Sequence, residues 1–155
     1  MNEMEVHPIG RIVCEGGEFC IVLRPEYAPA LRGLEGYSHV QVIWWFDRTL
    51  DNETLLEEKP YVKGPAQIGV FATRSPVRPN PIAVSSVGIA YVDEATATVG
   101  LYFIDAYPGS PVLDLKPYTP SIDRVESPSV PEWCTHWPKS YEESGDFDWE
   151  AEFNF

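Results

Sequence analysis

The chain has 155 residues, 44% hydrophobic and 23% charged, the length and composition of one globular domain and not of a disordered or fibrous protein. No apolar run approaches the roughly 20 residues that cross a bilayer, and the opening MNEMEVHPIG has neither the basic nor the apolar region of a secretory signal, so a soluble, cytoplasmic protein is expected. The net charge of −13 argues against binding polyanions over a broad surface, which runs through clustered lysine and arginine; eight acids lie between Glu126 and Phe155 beside Lys139 alone.

In chain order, residues 6–13 (VHPIGRIV) and 18–24 (EFCIVLR) flank Gly16-Gly17 and predict a hairpin. Residues 39–47 (HVQVIWWFD) alternate and then turn wholly apolar, as a strand does on passing into a core. The charged stretch 52–64 predicts a mobile surface segment with a short helical turn ending before Pro60. Strands are expected at 67–73 (QIGVFAT), 82–92 (IAVSSVGIAYV) and 96–104 (TATVGLYFI), with a turn at Asp93-Glu94. Six strands joined by short connections, without a βαβ crossover, predict an all-β fold: a small, mainly antiparallel six-stranded barrel over residues 1–125.

After residue 105, repeated prolines predict loop. The segment 126–155 is acidic yet crowded with aromatics, so a loop-rich C-terminal extension docked on the barrel or on a partner subunit is expected. There Trp133, Trp137 and Trp149 either cover an apolar barrel face or form a lid over an acceptor. Cys14, Cys20 and Cys134 are odd in number and lack CxxC spacing, which indicates free thiols. His7, His39 and His136 are too scattered to be linked as ligands, and no metal is expected.

Three constellations carry candidate chemistry. ATRSPVRPNPIAVSS (72–86) places Pro76, Pro79 and Pro81 between strand-like runs, which makes a stiff loop, and a stiff loop presenting Arg74, Arg78 and Asn80 has little entropy left to lose on binding. Guanidinium forks suit carboxylates and phosphates, and an asparagine amide suits a base edge; the alternative is a turn whose arginines pair with the protein's own acids. In DAYPGSPVLDLKPY (105–118), Pro108-Gly109 makes a turn open to close approach, and Asp114, Lys116 and Tyr118 share one face of an extended segment. That trio is suited to acid–base work, or else is a salt bridge beside a half-buried tyrosine. In WWFDR (44–48), Asp47 and Arg48 emerge at a strand end, at a pocket rim or simply in solvent.

RGLEGYSH (32–39), ATRSPVRPNPIA (72–83) and GSPVLDLKPY (109–118) occur in the order of three signatures of the TsaA-like proteins, which include TrmO-type tRNA methyltransferases, and the chain resembles that family over roughly residues 6–125. The resemblance implies a six-stranded barrel, a homodimer, and S-adenosylmethionine bound near the subunit interface. It implies N6-methylation of threonylcarbamoyladenosine beside the anticodon of tRNA. Carried over by position, it implies cofactor contacts from Phe46, Asp47, Arg48, Arg74, Ser75, Pro76, Val84, Tyr107, Pro108, Gly109 and Ser110, with Asp47-Arg48 in the place of a His-Gln pair. Arg78 and Asn80 are assigned to the substrate, and Asp114, Lys116 and Tyr118 to proton transfer. Two other functions stay open: methylation of a small-molecule or other non-tRNA acceptor, and a non-catalytic nucleotide-binding or interaction module.

Overall fold

The computed structural model describes residues 3–155. Its strands are β1 (Gly10–Glu15), β2 (Glu18–Leu23), β3 (His39–Trp45), β4 (Leu56–Glu58), β5 (Gln67–Gly69), β6 (Ile82–Asp93), β7 (Thr98–Leu101) and β8 (Pro111–Pro117). Six of them close into an antiparallel barrel in the order β1-β2-β7-β6-β3-β8, and β4 and β5 form a separate two-stranded sheet. The backbone divides into two compact units: one runs to Leu50 and resumes over Asn80–Arg124, and the other combines Asp51–Pro79 with Val125–Phe155.

The barrel follows from period-two patterning. Along β3 half-buried and buried residues alternate, so Val40, Val42 and Trp44 point inward, and together with Ile12, Ile21, Val99 and Val112 they are at most 3% exposed. The Trp44 indole N–H donates to Ser85 Oγ at 2.9 Å, which satisfies a polar group that the core would otherwise strand. The β1–β2 hairpin turns through Gly16 (φ 61°) and Gly17 (φ 81°), the two left-handed residues that a two-residue hairpin of matching twist requires. β6 pairs with β3 along its first half and with β7 along its second, and the register shift between Ile89 and Tyr91 bends it around the barrel. Cys14 lies opposite Phe19 and Cys20 opposite Val13, which puts the two thiols on opposite faces of the hairpin.

Three expectations are corrected. The stretch after residue 105 is not all loop, because Pro111–Pro117 forms β8, the sixth barrel strand, with its prolines at the strand ends where a missing amide is tolerated. The expected strand 67–73 shrinks to β5 and lies outside the barrel, giving way to a 3-10 turn at Val70–Ala72. The short helix expected in 52–64 is instead β4, paired antiparallel to β5.

The second unit has its own aromatic core. Tyr61 stacks on Trp133 (4.9 Å between centroids) and meets Trp137 edge-on at 5.4 Å; Trp149 continues the cluster from Trp137 at 5.3 Å. Tyr61 forms a β-bridge with Phe153, Val62 N–H donates to Glu152 O, and Asn154 N–H donates to Pro60 O. Within this unit the segment 51–79 packs with the tail, whose tryptophans find Tyr61 as an apolar partner. The Glu152 carboxylate is buried, accepting from Trp137 Nε1 at 3.0 Å and facing His136 Nε2 at 2.8 Å.

Candidate functional site

Strand register assembles one end of the barrel. Trp44 lies opposite Val112 and Trp45 opposite Ile82, so the chain leaving β3 (Phe46, Asp47, Arg48) meets the segments entering β6 (Asn80, Pro81) and β8 (Tyr107–Ser110). Phe46 N–H donates to Pro81 O at 2.8 Å, while its ring packs edge-on against Trp44 at 4.5 Å. Asp47 and Arg48 then turn outward, with Thr49 N–H returning to Phe46 O. The Arg48 guanidinium lies 4.3 Å above the centre of the Tyr107 ring and reaches Pro108 O at 3.4 Å. An exposed cation over an aromatic face gains about 0.5–1 kcal/mol, enough to bias both side chains toward one arrangement.

Tyr107–Ser110 is a tight turn closed by Ser110 N–H donating to Tyr107 O at 3.1 Å. Pro108 presets the first central position and Gly109, at φ 90°, supplies the left-handed second one, as a type II turn demands. A side chain added at Gly109 would meet nothing within 4 Å, so the turn faces open space. Tyr107 is 62% exposed, whereas Ser110 is buried and its Oγ has no protein hydrogen-bond partner. Val84 projects from the outer face of β6 opposite Ile43.

The proline loop belongs to the second unit up to Pro79 and is stitched by its own polar groups. Thr73 Oγ1 donates to Val70 O and accepts from Ser75 N–H, and Ser75 Oγ accepts from Val77 N–H. Arg78 donates through Nη1 to Thr73 O and Ser75 O, both at 3.1 Å, so that nitrogen braces the loop. Arg74 and Pro76 are exposed and Ser75 is half-buried. Asn80, exposed, already belongs to the barrel unit.

Lys116 and Tyr118 are not brought to this barrel end, and Asp114 lies between them and it. Lys116 pairs with Gln41 and Tyr118 N–H bonds His39 O, toward the start of β3, whereas Asp114 lies opposite Ile43, past the middle of that strand and in the same cross-strand row as Val84. At about 3.3 Å per residue, Asp114 stands about 13 Å along the strand from Ser110. Asp114 and Lys116 form an exposed salt bridge at 2.8 Å, and the Asp114 carboxylate holds the Lys116 ammonium protonated above its ordinary range. Such a lysine is a poor base. Tyr118 packs edge-on to His39 at 6.3 Å.

Two features escaped sequence reasoning. The pairing of Arg48 with Tyr107 joins residues 59 positions apart, and only the barrel register reveals it. Tyr61 sat in a segment whose charges mask it; its neighbour Pro60 and the tryptophan-rich tail were the available signals.

The family model of the tRNA-methyltransferase O N-terminal domain matches residues 2–124. The tRNA (adenine(37)-N6)-methyltransferase of Escherichia coli is 34% identical over 124 residues, 78% of this chain and 53% of that protein. An S-adenosyl-L-methionine-binding protein of Archaeoglobus fulgidus is 39% identical over 108 residues, 68% of this chain and 72% of that one. The crystal structure of TrmO from Pseudomonas aeruginosa superposes with a TM-score of 0.65 at 30% identity, covering 83% of this chain and 62% of that one. The chain thus spans about half the length of the Escherichia coli relative, and the family-model match ends at residue 124, ahead of the aromatic tail. With the closed six-stranded barrel, these matches establish that the chain belongs to the tRNA-methyltransferase O N-terminal domain family.

Proposed function

We propose that this protein binds S-adenosylmethionine at the barrel end formed by Phe46–Arg48 and Tyr107–Ser110 and transfers its methyl group. The observation that carries the reading is the Arg48–Tyr107–Pro108 arrangement, built within a domain whose relatives include an S-adenosyl-L-methionine-binding protein. The residues present suit the ligand. A guanidinium fork suits the methionyl carboxylate, the exposed Tyr107 ring offers a stacking surface for adenine, and the open ground at Gly109 admits a close approach to backbone. Arg74, Ser75 and Pro76, within the second unit, are assigned to the same ligand by their match to the family's loop, and Val84 likewise.

When bound, S-adenosylmethionine supplies an electrophilic methyl group for in-line displacement. The chain's part is to bind, align and exclude water, and alignment in favourable systems corresponds to effective molarities of roughly 10⁵–10⁸ M. Positive charge disperses in that reaction, so no oxyanion hole is needed. The acceptor proposed is adenine 37 of tRNA, in line with the name of the Escherichia coli relative, with Arg78 and Asn80 serving the substrate. Asp114, in the same cross-strand row as Val84, is the member of the trio nearest this end for moving the acceptor's proton, and for Lys116 or Tyr118 to do so a second copy of the chain must bring them to it. A homodimer is part of the proposal, supported by Ile82 and Val84, 41% and 42% exposed on the barrel's outer face beside Ile43 and Trp45. Cytoplasmic location is proposed from the tRNA-directed relative; among the described residues no helix is long and apolar enough to cross a membrane.

Calorimetric titration with S-adenosylmethionine tests the assignment. Saturable binding is expected, weakened about tenfold or more in Arg48→Ala and in Arg74→Ala, since a charge-assisted bond contributes about 1.5–3 kcal/mol. No binding at millimolar ligand, equivalent to only about −4 kcal/mol, defeats it. The net charge of −13 favours a second reading, methylation of an acceptor other than tRNA. Transfer of labelled methyl to unmodified tRNA, with steep salt dependence, separates the two.

A further inference from the structure

On the outer face of the barrel sector β1-β2-β7-β6, strand register lines up Cys20, Gly100 and Tyr91 as one cross-strand row. Two residues on along β2 and β7 stand Glu18 and Tyr102, with Glu15 opposite Glu18 on β1 and Tyr102 N–H donating to Gly88 O at 3.1 Å. Ile21 and Val99, which alternate with these positions, have no exposed surface, so both rows face away from the core.

The two tyrosines lie on glycines. A Cβ added at Gly100 would fall within 2.7 Å of three consecutive ring atoms of Tyr91, Cδ1, Cε1 and Cζ, which places the face of that ring over the glycine. A Cβ at Gly88 would fall 2.9 Å from Tyr102 Cδ2. Glycine inside a strand weakens it, and here it makes room for a ring laid on the sheet. The outer side of each ring stays in solvent: Tyr91 is 53% and Tyr102 74% exposed.

The charges beside the rings are of one sign. Glu15 and Glu18 stand directly opposite each other, a like-charge pairing that costs the hairpin stability, and neither carboxylate has an ion pair or hydrogen bond among the described residues. Burial, and then the charges of Glu15 and Glu18, push the Cys20 thiol above its ordinary range, so both carboxylates are felt in the Tyr91 row. Arg11 is the one lysine or arginine in these four strands, and it lies about 13 Å along β1 from Glu15. Phosphates would be repelled from such a face. A guanidinium suits it, being planar, cationic, able to stack on an aromatic ring and able to fork onto a carboxylate.

We propose that the outer face of β1, β2, β7 and the second half of β6 docks a basic, arginine-bearing segment of a partner protein, with guanidinium groups over the Tyr91 and Tyr102 rings and within reach of Glu15 and Glu18. The net charge of −13 steers such a partner toward the chain, and the rings select where it settles. This surface is independent of the S-adenosylmethionine site proposed above.

Titration of the full chain with a short peptide alternating glycine and arginine, followed by amide NMR shifts, provides the test. Saturable shifts are expected, largest at Gly88 and Gly100 beneath the rings. Tyr91→Leu, which keeps an apolar cover on Gly100, and Glu18→Gln are each expected to raise the peptide Kd about three- to tenfold, with Tyr91→Phe close to the parent. Glu26→Gln removes the same charge from the 3-10 helix after β2 and is expected to change Kd less than about twofold. Shifts spread evenly over the acidic surface, equal effects of Glu26→Gln and Glu18→Gln, or no shift at millimolar peptide overturns the proposal. Tighter binding of oligoadenylate than of the peptide at the same amides overturns it as well, because the face would then serve nucleic acid. Should Tyr91→Leu fail to fold, Glu18→Gln, at an exposed position, still separates docking on this face from diffuse attraction.

Discussion

Replacing Ser110 by alanine is expected to stabilise the barrel. The backbone of Ser110 is fully engaged, its N–H donating to Tyr107 O and its carbonyl accepting Ile12 N–H at 3.0 Å, but its Oγ is sealed from solvent with no protein partner. A hydroxyl that has given up water without gaining a bond costs about 1–3 kcal/mol. Removing it leaves a hole of one oxygen atom, and the packing forfeited around that hole is worth less than the roughly 0.8 kcal/mol of a buried methylene. The balance is a gain of about 1 kcal/mol, or about 2–4 °C in Tm for a chain of this size. Urea unfolding followed by far-UV circular dichroism measures it, with an unchanged slope confirming that stability alone has moved. A loss of more than about 0.5 kcal/mol would refute the reasoning, because it would mean that the hydroxyl is bonded in solution.

Two glycines are indispensable for different reasons, and substitution separates them. At Gly109 the cost is conformational: Gly109→Ala is expected to lose about 1–2 kcal/mol and Gly109→Asn less, since asparagine tolerates the left-handed region. At Gly10 a Cβ would come within 2.4 Å of Val22 O and 2.8 Å of the Leu23 Cα, so Gly10→Ala forces strands β1 and β2 apart and is expected to cost more than about 2 kcal/mol, with no rescue by asparagine. Ile12→Ala, at a site with no exposed surface, should cost about 2–5 kcal/mol in the same assay. Hydrogen bonds from Trp137 and His136, with the charges of His136 and Lys63, hold the Glu152 carboxyl below the usual range. Its contribution is therefore complete above the unfolded value near pH 4.3 and lost as pH falls through the folded one. Tryptophan fluorescence of the tail cluster should show acid unfolding in which Glu152→Gln lacks the part of the pH dependence below about 4.3 that the parent shows. Identical profiles would show that Glu152 does not set it.

Most of the barrel was legible in the chain because each strand carries its own alternation. HVQVIWW and IAVSSVGIAYV read as strands wherever they pair, and Gly16-Gly17 specifies its hairpin locally. β8 was hidden by its own ends: Pro111 and Pro117 look like loop, and only a place between β1 and β3 gives the residues between them a ladder to join. The loop residues Arg74 and Arg78 were visible as a motif, but their division of labour was not, since the carbonyls that engage Arg78 appear only once the loop is folded.

The family, the barrel and the composition of the proline loop were therefore decided locally, by residue patterns short enough to act through backbone geometry and side-chain period. What the tertiary structure alone decided is which distant residues meet. Arg48 covers Tyr107 because β3 and β8 run antiparallel and bring those ends together. Tyr61 becomes the centre of the tail's aromatic cluster because apolar rings seek any partner that removes them from water, a force without direction that carries no address in the sequence.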